Sequence, residues 1–218
     1  MATVRVYLDF ISPYAYFGWR NVRTLAKERD LALDVRPVVF AALLDHHGQL
    51  GPAEIPAKRV WTFKHIVRYA MRRGIPLVGP ATHPFRTLTA LRIAALPADP
   101  ETQHRRVDDL FDAIWGTGGI DGGDDDVIAA ALTERGHDGA ALVEAAKAPE
   151  SKARLKDLTA EAIEAGVFGV PTFVVGDELF WGNDSLEYVA LNLDGEDPLD
   201  GVVVDRFLSR PRGADRRR

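Results

Sequence analysis

The 218-residue chain contains no cysteine. That absence removes disulfide scaffolds, thiolate-ligated zinc, iron–sulfur clusters and any redox chemistry by the chain's own thiols. It leaves the compartment open, since a chain without cysteine is compatible with either redox environment. Long apolar runs are missing as well. Stretches such as Val127 to Leu132 are far too short to cross a bilayer, and Met1 to Arg5 lead directly into patterned sequence without the apolar core of a signal peptide. A cytoplasmic protein without a membrane partner is expected. There is no GxGxxG and no GxxxxGK[ST], so dinucleotide and P-loop binding are not indicated. The six histidines, His46, His47, His65, His83, His104 and His137, show no HxxxH or HxH spacing, and no metal centre is expected. Positive charge is scarce in the body, where 31 acids face 21 bases before residue 206, whereas residues 206–218 hold six arginines against Asp215 alone. An acidic body is a poor nucleic-acid binder, and no nucleic-acid partner is expected. The arginine-rich end, with Pro211 and Gly213, reads as a disordered basic tail.

What is present is a chain 46% hydrophobic and 27% charged, enough for one large domain or two small ones. Val4 to Phe10 alternates as a strand and breaks at Ile11-Ser12-Pro13. A helical period then runs from Tyr14 to Arg29, with Ser12 placed as N-cap and Pro13 at the first helical position. Leu31 to Phe40 alternates again, and Pro37 argues for an edge or a bulge. This β-α-β opening has a connection long enough for parallel pairing. Residues 41–52 read as irregular. From Pro56 to Gly166 the signals are helical: Pro56 to Arg73, a helix started by Thr82-His83-Pro84 and reaching about Leu96, one capped by Asp99-Pro100, one opened by Asp124-Asp125-Asp126, and two beginning at Asp138 and Pro149. Pro171 to Val175, a Gly176-Asp177 turn and Glu178 to Trp181 form a hairpin, followed by a helix over Leu186 to Leu193. The pattern is one mixed sheet with an all-helical insertion.

Three segments carry candidate chemistry. Asp9-Phe10-Ile11-Ser12-Pro13-Tyr14-Ala15-Tyr16 places a serine at a helix N-terminus, where unpaired N–H groups and the dipole favour an anion or a thiolate. Read alone, it is a helix cap. Val167-Phe168-Gly169-Val170-Pro171-Thr172-Phe173 enters a strand through a shaped turn, from which the Val170 backbone can pair with an extended ligand. In Trp181-Gly182-Asn183-Asp184 the last two residues cap a helix or, with its N-terminus, hold a zwitterionic amino-acid group. Tyr14, Tyr16, Phe17, Trp61 and Trp115 are candidates for an aromatic-substrate pocket and equally for the core.

Taken together, the opening, the Gly-Val-Pro-Thr segment before a hairpin and the helical insertion resemble the thioredoxin superfamily in its DsbA-like form. Within it, the Ser12-Pro13-Tyr14, Gly169-Val170-Pro171-Thr172 and Trp181-Gly182-Asn183-Asp184 segments look like those of the 2-hydroxychromene-2-carboxylate isomerases, relatives of the kappa-class glutathione transferases. The resemblance covers residue 4 to about 193. It implies an α/β, thioredoxin-like fold with residues 1–40 and 166–195 as a discontinuous domain and 41–165 as the helical insertion; residues 206–218 are the basic tail read from composition above. It implies glutathione or another low-molecular-weight thiol as cofactor, with Ser12 where dithiol enzymes carry their first cysteine. Val170, before a cis-Pro171, would pair with the cysteinyl part, Asn183 and Asp184 would hold the γ-glutamyl end, and Lys58 would lie near the glycine carboxylate. Gln49 stands where the family often has asparagine, and His65 near where it tends to have an acid. Lys58 or Arg68 would hold the carboxylate of an aromatic 2-oxo acid substrate. A homodimer is common among relatives. The rival readings are a kappa-type transferase with another substrate and a redox-inert DsbA-like module that captures an extended peptide.

Overall fold

The first strand, β1 (Thr3–Leu8), buries Val4, Val6 and Leu8 and continues through Ser12 into α1 (Pro13–Arg29). The structure is a computed structural model that describes residues 1–214. Pro13 occupies the first turn of α1, Lys27 and Arg29 the last, and Asp30 closes it in the left-handed region. The chain returns as β2 (Ala32–Pro37), parallel to β1 with Val6 opposite Val35. At the other end of the chain, β3 (Thr172–Val175) lies antiparallel to β1, and β4 (Glu178–Trp181) antiparallel to β3. The sheet order is β2-β1-β3-β4, so Pro37 ends an edge strand, where its missing N–H costs no ladder bond. This is the one mixed sheet that the sequence pattern implies.

Between the two halves come α2 (Phe40–His47), α3 (Pro56–Arg73), α4 (Leu88–Ala95), α5 (Pro100–Ile114), α6 (Asp125–Glu134), α7 (Gly139–Lys147) and α8 (Pro149–Glu164). After the hairpin follow α9 (Leu186–Leu193) and α10 (Gly201–Leu208). The helical block shares one core with the sheet: Phe10, Phe17, Trp19, Leu91, Phe111 and Trp115 are all essentially inaccessible. A full burial of each contributes about 1.5–3 kcal/mol.

Three segments differ from the sequence expectation. Residues 40–47 are helical because the Asp9 carboxylate, 31 residues upstream, accepts the Phe40 N–H at 2.9 Å and so caps α2 from another element. No helix begins at residues 82–84. His83 Nε2 donates to the Ile11 carbonyl at 3.0 Å and its ring packs beside Phe63 and Trp115, which holds residues 81–87 in bends and irregular backbone until α4 starts at Leu88. The tail expected to be disordered from residue 206 begins inside α10, whose Val202 and Val203 N–H groups are capped by the Asp200 carboxylate. The last four residues of that tail, 215–218, lie outside the described residues.

Candidate active site

Ser12 sits where β1, α1 and the turn before β3 converge. Its side chain accepts from the Ala15 N–H at 3.2 Å and donates to the Val170 carbonyl at 3.3 Å, so one hydroxyl spans 158 residues of sequence. The first turn of α1 carries no acid to neutralise its positive end. Val170 and Pro171 are joined by a cis peptide bond, and Val170 lies buried with its N–H unbonded among the described residues. Close approach here depends on Gly18. A Cβ at that position would stand 2.8 Å from Pro171 Cγ and 3.1 Å from Phe173 Cζ.

The insertion braces this loop from behind. Trp115 Nε1 donates to the Phe10 carbonyl at 2.6 Å, alongside the His83 bond to Ile11. Burial lowers the His83 imidazole below the usual range, which keeps it neutral there. Asp9, almost wholly buried, accepts from the Ile11 and Phe40 N–H groups. Burial pushes its carboxyl up to about 6, against the pull of those hydrogen bonds.

On the other side of Ser12 stands the turn after β4. Gly182 has φ 95°, and the Asp184 carboxylate folds to within 2.6 Å of where a Cβ would be. The Asn183 amide is spent within the protein: its oxygen accepts from Asn21 Nδ2 at 2.7 Å and its nitrogen donates to Tyr69 Oη at 2.9 Å. Asn21 Nδ2 also donates to Tyr69 Oη, at 2.8 Å. The neighbouring Asp184 is exposed. Asn21 and Tyr69 were not singled out from sequence. They lie on faces of α1 and α3 whose partner is a turn more than 100 residues away, and no local signal marks them.

Of the aromatic candidates, Tyr14 lies half-buried with its Oη 2.9 Å from His65 Nδ1, and the exposed Trp61 stacks on His65 with ring centroids 4.7 Å apart. Burial raises the Tyr14 phenol above its usual range, and the Asp184 charge adds to that. Tyr16 belongs to the core instead: it is 1% exposed and donates to the Pro76 carbonyl at 2.8 Å. Phe17 and Trp115 are likewise core. Lys58 and Arg68 are exposed on α3. Gln49 is exposed just after α2. Two open surface depressions, of about 490 and 400 Å³, are lined elsewhere and neither includes Ser12.

A serine on a helix N-terminus beside a cis-proline turn is the thioredoxin arrangement without its sulfur, and comparison with known proteins agrees. Residues 3–194 match the family model of the DSBA-like thioredoxin domain. The chain belongs to that family. Within it, the chain is 32% identical over 187 residues to 2-hydroxychromene-2-carboxylate isomerase of Pseudomonas putida, covering 84% of this chain and 90% of that one. The solved structure of a 2-hydroxychromene-2-carboxylate isomerase superposes with a TM-score of 0.81 at 26% identity, covering 95% of this chain and 100% of that one. Glutathione S-transferase kappa 2 of Caenorhabditis elegans is 26% identical over 201 residues, 86% of this chain and 89% of that one. These relations make the chain an enzyme of the isomerase branch of the DsbA-like family. No described helix is long and apolar enough to cross a membrane.

Proposed function

We propose that this chain is a glutathione-dependent cis–trans isomerase acting on 2-hydroxychromene-2-carboxylate or a closely similar conjugated, ring-opened 2-oxo acid, in the cytoplasm. The observation that carries the reading is the Ser12 hydroxyl, held between the uncompensated N-terminus of α1 and the Val170 carbonyl in a chain that has no thiol of its own. The names of the Pseudomonas and nematode relatives support, respectively, the reaction and the cofactor.

The residues present fit a tripeptide thiol. The free Val170 N–H and the neighbouring carbonyl suit the cysteinyl backbone, and the Asp184 carboxylate beside the Asn183 N–H suits a group carrying both an ammonium and an acid. Lys58, exposed in the first turn of α3, offers a cation for the far carboxylate. When bound, glutathione supplies a thiolate whose reversible addition turns a conjugated double bond into a rotatable single one. With glutathione bound, the Ser12 hydroxyl turns its proton from the Val170 carbonyl to the sulfur and, with the N–H groups of α1, favours the thiolate over the thiol. Val170 fixes the sulfur at that point. Trp61, exposed and flat against His65, offers a face to an aromatic ring, and Arg68 or Lys58 offers a charge to the substrate carboxylate.

The test is calorimetric titration with reduced glutathione together with an isomerisation assay, on the wild type and on Ser12→Ala. A hydrogen bond to a charged group contributes about 1.5–3 kcal/mol, so the variant is expected to lose about 10- to 100-fold in rate. The lost cap costs it about 1 kcal/mol of stability, which a parallel melt measures separately. No glutathione binding by the wild type, or an undiminished rate in the variant, refutes the reading.

A further inference from the structure

The Ser12 site favours a thiolate but contains no base to receive the proton that a thiol gives up. A hydroxyl bonded to a carbonyl oxygen cannot act as one, and Asp9 is buried behind the loop with its oxygens turned to the Ile11 and Phe40 N–H groups. An alternative stands in the first turn of α1 itself. Tyr14 is the second residue of α1, and side chains in a helix lean toward its N-terminus, which here is the Ser12 end. Its Oη lies 2.9 Å from His65 Nδ1, a neutral acceptor in the tautomer protonated at Nε2. Trp61 covers one face of the imidazole in a nearly parallel stack, 11° between planes, which fixes the ring. The other groups around the pair are the Thr62 hydroxyl and the Asp184 charge on the Tyr14 side and the Tyr69 ring 6.5 Å from His65.

From this geometry we propose that Tyr14 and His65 form the proton relay that ionises the cofactor thiol, a step that rests on the thiol-dependent reading above. Tyr14 Oη takes the proton from sulfur while its own proton passes to His65 Nδ1. One S–H and one O–H bond break, one O–H and one N–H bond form, and the products are a thiolate at Ser12 and an imidazolium. No outside reactant is needed. The thiolate formed at Ser12 is the negative charge that balances the imidazolium. Tyr14 alone does not serve as the base, because burial keeps its phenol protonated. In this relay Tyr14 would meet the sulfur directly and His65 would act through Tyr14.

The relay is tested without turnover, by following the ultraviolet absorbance of bound thiolate as reduced glutathione is titrated with pH in the wild type, His65→Gln and Tyr14→Phe. An ordinary thiol ionises near about 8.5. Gln keeps a hydrogen-bond acceptor for Tyr14 but cannot take the proton, and Phe keeps the ring packing but removes the bridge. Each variant is expected to raise the midpoint for thiolate formation by about one pH unit, tenfold less thiolate at a given pH below it. Midpoints equal to that of the wild type in both variants, with glutathione still bound, overturn the relay and leave the thiol-dependent reading standing. Failure of the wild type to bind glutathione overturns that reading, and the relay with it.

Discussion

Asp9 is a carboxyl held almost wholly out of water. It lies one position past β1, its carboxyl held at about 6, and it accepts two hydrogen bonds that shape the site: one from the N–H of Ile11, beside Ser12, and one from that of Phe40, which starts α2. Because the folded state holds the proton more tightly than the unfolded chain does, Asp9 contributes stability in full below about pH 4. That contribution is lost as pH rises through about 6. A shift of this size is on the order of 3 kcal/mol at about 1.4 kcal/mol per unit. Asp9→Asn cannot titrate, and its single carbonyl oxygen accepts only one of the two N–H bonds. The variant is therefore expected to be less stable than the wild type at pH 4 and to close much of that gap by pH 7. Urea unfolding at the two values measures it. A stability difference that stays constant between them would show that Asp9 does not titrate in this range.

At the scale of elements, what sequence made visible was whatever a segment specifies by itself. Asp99 and Asp124 cap α5 and α6 through their own side chains, and the Gly176-Asp177 turn joins β3 to β4. Hidden elements are those whose determinants come from elsewhere. α2 has no cap of its own until Asp9 folds against it, and residues 81–87 stay non-helical because His83 is bonded to Ile11. The same division runs through the site. Ser12, Val170 and Asp184 stand in motifs that sequence carries, but the Asn21–Tyr69–Asn183 clasp exists only once α1, α3 and the turn after β4 meet. Contact between α1 and the Val170–Pro171 turn is the joint on which the two halves of the site depend, and Gly18 sets it. Gly18→Ala gains up to about 1 kcal/mol in helix propensity, yet its Cβ would have to displace the Pro171 ring, an overpacking that costs about 1–3 kcal/mol. The variant is expected to be no more stable than the wild type and to bind glutathione several-fold more weakly, because Val170 moves with Pro171. Thermal melts and calorimetry read the two effects. A more stable variant with unchanged affinity would mean that the turn yields freely and that the joint does not position the site.

For the molecule as a whole, the question is where the cooperative unit ends. The family match stops at residue 194, and the last side chain with a place in the core is Val189 of α9, flanked by Leu186, Ala190 and Leu193. Arg29 at the end of α1 holds Asp194 through two bonds of 3.2 and 2.8 Å, tying α9 back to the first half of the chain. Beyond that tie, α10 buries no residue fully: Val202 and Leu208 are 80% and 78% exposed, and Val203 and Val204 are only partly covered. Deleting residues 201–218 removes six arginines and two aspartates, taking the formal charge from -5 to -9. At about 0.15 M salt the added repulsion between exposed charges is screened beyond about 8 Å. The loss is therefore set by the partial burial of two valines, on the order of 1–2 kcal/mol, or a few degrees in Tm with a single transition retained. Deleting residues 186–218 instead strips Val189 from against α1 and β3, leaves Arg29 without Asp194, and is expected to abolish cooperative unfolding. Calorimetric melts of the two truncations measure the contrast. If the shorter deletion also abolishes the transition, α10 is part of the fold's core unit, and the boundary argued from burial is placed too early.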